Sequence, residues 1–248
     1  MPQFTEQEFF GGAIRGVVPQ GWIDASTLRE VPDHQELWLS PSTLSNLIIE
    51  INQRVPQAEA LSTLAILGQQ PTATPGSGSA ASAAEETIDQ AAALYHLHDL
   101  CDEGDTMQVV KPPQRVDVHL ASSSPAPASS IKAHRGVVSF TTPARGAAAR
   151  IPASAEGAAA GIAESALLGA QLNGEGSGLP QVSKLTCHFL LVRLEAQETD
   201  LLVFFNVPHE EFDKSGDPRG LSLEEVVGEE TIETLVGKLE IRDWRLFV

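Results

Sequence analysis

Four charged side chains crowd into one short, proline-bounded part of the chain. Asp24, Arg29, Asp33 and Glu36 fall within residues 10–36, FGGAIRGVVPQGWIDASTLREVPDHQE. Burying an unpaired charge is costly, so most of these groups must lie on one surface. A dense carboxylate cluster in an ordered segment suits recognition of a basic partner. Paired carboxylates also serve acid–base catalysis, but among 33 Asp and Glu residues no spacing selects a pair. A second constellation, His96-x-His98-x-x-Cys101, resembles metal-ligand spacing. On a helix, positions two apart point to different sides, so helix packing is the plainer reading and no metal is expected. Asp99, Asp102, Glu103 and Asp105 surround Cys101. They raise its pKa and disfavour the nucleophilic thiolate.

Other chemistry is missing from the sequence. There is no G-x-x-x-x-G-K-[ST] loop to cradle a nucleoside triphosphate, no H-E-x-x-H and no G-x-S-x-G. Gly11-Gly12 precedes a strand pattern, whereas a dinucleotide-binding fingerprint places its glycines between a strand and a helix. An enzymatic reading gains no positive support, and no cofactor is implied.

The elements that must position the acidic cluster can be read in outline. Residues 13–19 read as a strand that stops at Pro19, and 21–28 as a turn leading into one helical turn. Asp24 suits the N-cap of that turn, because its carboxylate can accept a free backbone N–H. Residues 36–40 and 45–51 read as strands, the second carrying the buried-strand run Leu47-Ile48-Ile49. Residues 85–101 have helical spacing, with Ile88, Ala91, Ala92, Tyr95 and His96 on one face. Residues 106–110, 115–120 and 137–140 are strand-like, and 185–194 and 201–207 form a hairpin through 196–199. The last helix is expected to start at a capping box of Ser222 and Glu225, with Leu223, Val226, Val227, Leu235, Val236 and Leu239 as its inner stripe. Gly228 weakens it by about 1 kcal/mol relative to Ala. The tail 241–247 mixes apolar and polar residues and is expected to dock on the body.

Two low-complexity stretches, about 68–84 and 143–180, cannot bury enough apolar surface to offset their ordering entropy. They read as loop insertions, with a marginal helix at 162–172 inside the second. The strand-rich blocks they interrupt are each too short to close a core. The expectation is therefore a single domain over residues 1–248. Strands in runs rather than strict alternation with helices favour an α+β fold, a central, mostly antiparallel β-sheet flanked by helices.

Composition bounds the partner class. The 248 residues carry 16 Lys and Arg against 33 Asp and Glu, a formal charge of −17, and 42% are hydrophobic, enough for a real core. A basic footprint for phosphates is lacking, so nucleic acid is not expected as a partner. Two cysteines, with no C-x-x-C, favour a reduced compartment. No signal-peptide pattern opens the chain, and no apolar run approaches the ~20 residues of a membrane span.

One resemblance sharpens this. F-G-G-A-I, followed by V-P-x-G-W-I-D-A-S-T-L-R-x-V-P-D-x-Q-E, resembles the N-terminal block of the Ran guanine nucleotide release factor family, the Mog-one proteins. Asn46-Leu47-Ile48-Ile49-Glu50, Tyr95-His96-Leu97-His98-Asp99-Leu100, Leu191 to Leu194, Thr199 to Leu202, Asn206 to Pro208 and Trp244 to Phe247 agree in order. The resemblance implies a sheet flanked by helices, as in the photosystem protein PsbP. It implies a non-catalytic protein that is monomeric when free, binds the GTPase Ran, promotes release of its guanine nucleotide, stabilises the nucleotide-free form and supports nuclear import. The location implied is the nucleus, with cytoplasmic exchange. Ran binding would map by motif to Asp24, Arg29, Asp33 and Glu36, with Glu50 as a further acidic position. Asp33 and Glu36 would be the centre of the contact, and Asp24 and Arg29 would touch Ran or hold the loop in shape. A second acid that the family often carries three residues after Glu50 is here Gln53. The alternative is a PsbP-like binding or assembly module for another protein.

Overall fold

Alternation and continuous apolar runs both become strands. The computed structural model describes residues 2–68, 80–118, 120, 131–143 and 182–247. Among them are ten strands: β1 (Phe4–Phe9), β2 (Ile14–Pro19), β3 (Ile23–Asp24), β4 (Gln35–Leu39), β5 (Asn46–Gln53), β6 (Thr106–Val116), β7 (Ile131–Thr142), β8 (Ser183–Leu194), β9 (Thr199–Pro208) and β10 (Glu240–Ile241). Four α-helices accompany them: α1 (Gln57–Ile66), α2 (Ala80–Asp99), α3 (Glu210–Ser215) and α4 (Pro218–Lys238). Seven strands form one sheet in the order β3-β4-β5-β9-β8-β7-β6, and β1-β2-β10 form a second. Every strand pairing among the described residues is antiparallel. The expected α+β class and antiparallel sheet are both present.

The two faces of the large sheet carry separate cores, because neighbouring strand residues point to opposite sides. Leu47, Ile49, Leu190, Val192, Val203 and Phe205 pack with Ile14 and Val17 of the small sheet and with Ile232 and Leu235 of α4. On the other face Ile48, Leu202 and Phe204 pack with Leu64 of α1 and with Ala91 and Leu97 of α2. Each fully buried large apolar side chain contributes about 1.5–3 kcal/mol. The C-terminal tail is docked as expected: β10 pairs with β2, and Ile241 and Phe247 are buried.

Several boundaries differ from the sequence reading, each for a local reason. The first strand pair is a hairpin, because β1, which has no strong apolar run, pairs along its whole length with β2. Helix α1 has no obvious amphipathic stripe in QAEALSTLAI, yet buries Ala60, Thr63 and Leu64. Residues 80–84, read as part of an insertion, belong to α2, while 69–79 and 144–181 lie outside the described residues, as does the helix expected at 162–172. Strand β6 runs straight through Pro112-Pro113, which had divided it in the sequence. Register shifts between Val109 and Lys111, and between Lys111 and Gln114, absorb the missing N–H donors.

Helix α4 starts one turn earlier than its capping box suggests. Asp217 is the N-cap and accepts the Gly220 N–H at 2.8 Å, with Pro218 in the first turn. Ser222 instead donates its hydroxyl to the Pro218 carbonyl inside the helix. Leu223 and Val226 face solvent, and the buried face is Gly228, Thr231, Ile232 and Leu235. Gly228 is also not a flaw in the helix. A Cβ there would lie 2.8 Å from ring carbons of both His188 and Phe205. His188 is buried beneath it, and burial holds its imidazole down at about 4, hence neutral.

A buried ionic cluster joins the layers on the opposite face. Arg193, 1% exposed, donates to Asp200 Oδ1 at 3.0 Å, Asp89 Oδ1 at 2.9 Å and the Val55 carbonyl at 2.9 Å. Asp200, wholly buried, takes the Val55 N–H at 3.0 Å and meets His96 Nε2 at 2.9 Å. Burial alone would raise the Asp200 pKa; the His96 hydrogen bond and the Arg193 charge outweigh it and hold the carboxyl below its ordinary value.

Two outcomes follow. Gly228→Ala should lower the melting temperature despite the better helix propensity of Ala, by roughly 2–6 °C for an overpacking cost of about 1–2 kcal/mol. Asp200→Ala should cost about 3–5 kcal/mol in denaturant unfolding, since it leaves buried Arg193 with Asp89 as its one carboxylate among the described residues and takes the acceptor from the Val55 N–H. A depressed carboxylate stabilises the fold above its unfolded pKa and loses that contribution as the pH falls through the folded one. The variant's deficit should therefore shrink in strong acid.

Candidate functional site

The acidic segment forms the β3 end of the large sheet. Gly21, with φ +85°, turns the chain after β2, and Trp22 stacks on Phe205 with ring centres 5.1 Å apart. Strand β3 then pairs Ile23 with Leu39 and Asp24 with Trp38. Asp24 caps the 3-10 turn Ala25–Thr27, accepting the Ser26 N–H at 2.8 Å, as its sequence position suggested. Its backbone carbonyl accepts the Thr27 hydroxyl at 2.7 Å. The Arg29 N–H extends the turn by donating to the Ala25 carbonyl at 3.0 Å, and the residue is half-buried.

Asp33 sits at the tip of the next turn, which closes with the Gln35 N–H on the Pro32 carbonyl at 2.9 Å. It is exposed, and its carboxylate has no hydrogen bond or ion pair among the described residues. The turn is held to β5 by the Ile51 N–H on the His34 carbonyl, also at 2.9 Å.

Glu36 and Glu50 separate. Register pairs Glu36 with Ile49 and Gln35 with Glu50, so the two carboxylates point to opposite faces of the sheet. Glu36 lies on the small-sheet side, next but one to Trp38, whose ring meets Phe9 edge-on at 6.2 Å. Its Oε1 accepts the Phe10 N–H at 2.6 Å. Burial raises its pKa, the Phe10 hydrogen bond opposes that, and the Asp24 carboxylate adds to it. Asp24, Asp33 and Glu36 thus share one edge of the molecule, with Arg29 in the loop between them.

Glu50 is 3% exposed and lines a cavity of about 300 Å³ with Asn52, Glu59, Tyr95, His96 and Asp99. Burial raises its pKa, against hydrogen bonds from Asn52 and Gln35 and the charges of His34 and His96. It belongs to the α2 side, beside the Asp200 cluster, and not to the exposed acidic edge. His96, one of the spaced His and Cys residues, is engaged with Asp200. Among the described residues no group of three His, Cys, Asp or Glu is placed to hold a metal ion. Burial, then the Asp105 and Asp102 carboxylates, push the Cys101 thiol up to about 11.

Sequence reasoning passed over two apolar neighbours of the acids. Leu28 is 67% exposed and Ile23 43% exposed. Ile23 lies on the two-residue strand β3 at the end of the sheet, and Leu28 closes the 3-10 turn that follows it. Covering exposed apolar side chains beside such an acidic edge would add hydrophobic gain to any charge pairing.

Comparison with known proteins fits this architecture. The profile of the family described as "Ran-interacting Mog1 protein" matches residues 7–208. The chain belongs to that family. Among curated proteins, 35 residues are 66% identical to the "Nuclear import protein MOG1" of Saccharomyces cerevisiae, covering 14% of this chain and 16% of that protein. Another 42-residue match is 50% identical to the human "Ran guanine nucleotide release factor", covering 17% of this chain and 23% of that one. The matched stretches thus span less than a third of either relative. Solved structures agree in fold. A point mutant of the protein Mog1 superposes with a TM-score of 0.52 at 19% identity, covering 99% of this chain and all of that one. The Saccharomyces cerevisiae "Ran-binding protein Mog1p" gives 0.51 at 20% identity, with both chains fully covered.

Glu50→Gln should raise the melting temperature at neutral pH. A carboxyl whose folded pKa is raised gives its full stability below the unfolded pKa and loses it as pH rises through the folded one. The neutral amide keeps that contribution, so the gain should vanish as the pH falls through the Glu50 pKa.

Proposed function

We propose that this protein binds the GTPase Ran through the edge carrying Asp24, Arg29 and Asp33, and that binding promotes release of guanine nucleotide. The observation that carries this reading is the exposed Asp33 turn beside exposed Leu28 and Ile23. It combines an exposed negative charge with exposed apolar side chains on a sheet edge. The relatives named for Ran and nuclear import support the choice of partner.

The mechanism is thermodynamic rather than covalent. A GTPase holds its nucleotide with a P-loop lysine and Mg²⁺. Carboxylates that pair with basic groups of the empty GTPase stabilise the nucleotide-free form. By linkage, a partner that prefers that form weakens nucleotide binding by the same factor. The protein is then a regulator of Ran and performs no reaction of its own on a small molecule. The net charge of −17 steers basic surfaces towards it and repels nucleic acid. The same reading makes the free protein a monomer, placed in the nucleus with cytoplasmic exchange and supporting protein import.

Titration calorimetry with nucleotide-free, GDP-loaded and GTP-loaded Ran tests it. Asp33→Lys should weaken binding to nucleotide-free Ran at least ~10-fold, about 1.4 kcal/mol, with an unchanged melting temperature. Wild-type protein that binds no form of Ran, or a variant that binds as well as wild type, overturns the assignment.

A further inference from the structure

Beyond Arg54 and Val55, which also border the Glu50 cavity, a second cleft of about 570 Å³ opens towards β7. Its walls come from the start of α1, from α2, from the start of β7 and from the turn between β8 and β9. Its charges are layered. The cations lie inside, with the Lys132 side chain 15% exposed and that of Arg54 32%. The carboxylates facing them lie outside, Glu85 at 65% and Glu195 at 51%. These pairings are loose. Lys132 Nζ stands 3.2 Å from Glu85 Oε2, and Arg54 Nη2 stands 3.4 Å from Glu195 Oε1, whereas a full charge-assisted bond measures about 2.7–2.9 Å. Arg54 Nε has no acceptor among the described residues. Exposed pairs of this kind contribute little, so both carboxylates can swing. The cations are better fixed. The Arg54 backbone N–H donates to the Glu198 carbonyl at 2.8 Å. Lys132 Nζ lies 3.4 Å from Oδ2 of buried Asp89, whose Oδ1 accepts from Arg193 at 2.9 Å. The cleft thus has a cationic floor anchored on the Arg193 cluster and a movable acidic rim.

We propose that this cleft binds a free α-amino acid: the ligand carboxylate sits between Arg54 and Lys132, its ammonium takes Glu85 and Glu195 from the rim, and its side chain lies against Ile88 and Val55. The volume falls within the roughly 300–1,000 Å³ of small-molecule sites. The charge layers select the ligand class. A simple anion suits the floor, but the rim carboxylates and a chain of net charge −17 oppose it. A simple cation suits the rim and is repelled by the floor. A zwitterion pairs with both layers and has no net charge for the field of the protein to repel. A chain terminus offers only one of the two charges. None of Asp24, Arg29, Asp33 and Glu36 lines the cleft, so the proposal does not depend on the Ran-binding reading.

The full chain is titrated with glycine and with L-leucine, and in parallel with acetate, methylammonium and inorganic phosphate. Binding is followed in ¹⁵N–¹H correlation spectra that include the Arg54 Nε–H. Glycine and leucine should move that signal and the Ile88 and Lys132 amides along one saturable curve at millimolar concentration. The probes that carry charge of one sign should not reach saturation there. Arg54→Met should weaken glycine binding at least ~10-fold. The double variant Glu85→Gln, Glu195→Gln should melt as wild type does, weaken glycine by a similar factor and strengthen the response to acetate, because it removes the rim charge and leaves the floor. Acetate or phosphate that saturates the same signals as tightly as glycine would make the cleft a plain anion site and overturn the assignment. Glycine binding that is unchanged in R54M overturns it as well, and so does the lack of a saturable response to any probe. Ran is absent from every arm, so failure here and failure of the Ran-binding reading are separate results.

Discussion

The buried guanidinium of Arg193 is the constraint on which the rest of the architecture leans. Taking a charge out of water costs several kcal/mol unless it is surrounded by partners. Here Asp200 meets it from the adjacent strand, Asp89 from α2 and the Val55 carbonyl from the segment leaving β5. The charge is satisfied only when strand, helix and connection are all in place. The cluster therefore specifies how α2 lies on the sheet and where β5 ends. Apolar packing of Ala91, Ala92 and Leu97 is non-directional and would set neither so narrowly.

That specification reaches the acidic edge through the backbone. Val55 is pinned by Asp200 and Arg193, β5 runs back from it, and Ile51 and Glu50 pair with His34 and Gln35 at the start of β4. The turn that displays Asp33 thus hangs from the same end of β5 that runs into the buried ion cluster. The opposite side of the edge is fixed by the β1–β2 hairpin, through Phe9 on Trp38 and Phe10 on Glu36. An exposed carboxylate on such a mount loses little conformational entropy when it meets a partner.

Much of this was legible in the chain. The continuous apolar runs of β5, β8 and β9 could only be central strands, and Asp24 sat where a capping carboxylate belongs. The acidic positions were legible through family resemblance. Their distribution over two faces was not, because one residue of strand register decides it, and register is a property of pairing. Arg193 and Asp200 stand seven apart in sequence, and only the hairpin makes them partners. The Ser222–Glu225 box was a local signal outcompeted by Asp217-Pro218 one turn upstream, and packing on the sheet turned Gly228, Thr231, Ile232 and Leu235 inward, leaving Leu223 and Val226 outside. Gly228 looked like a weakness because the ring of Phe205 beneath it is 23 residues away in sequence.

The proline pair in β6 has a consequence for behaviour in concentrated solution. An 11-residue strand at the rim of a seven-stranded sheet is a template on which another chain can continue the ladder. Pro112 and Pro113 offer no N–H to an incoming strand, and the two register shifts twist the rim away from a flat pairing geometry. Among the described residues, the rim strand on this side is 11 residues long, yet two adjacent prolines interrupt the row of donors that an eighth strand would need.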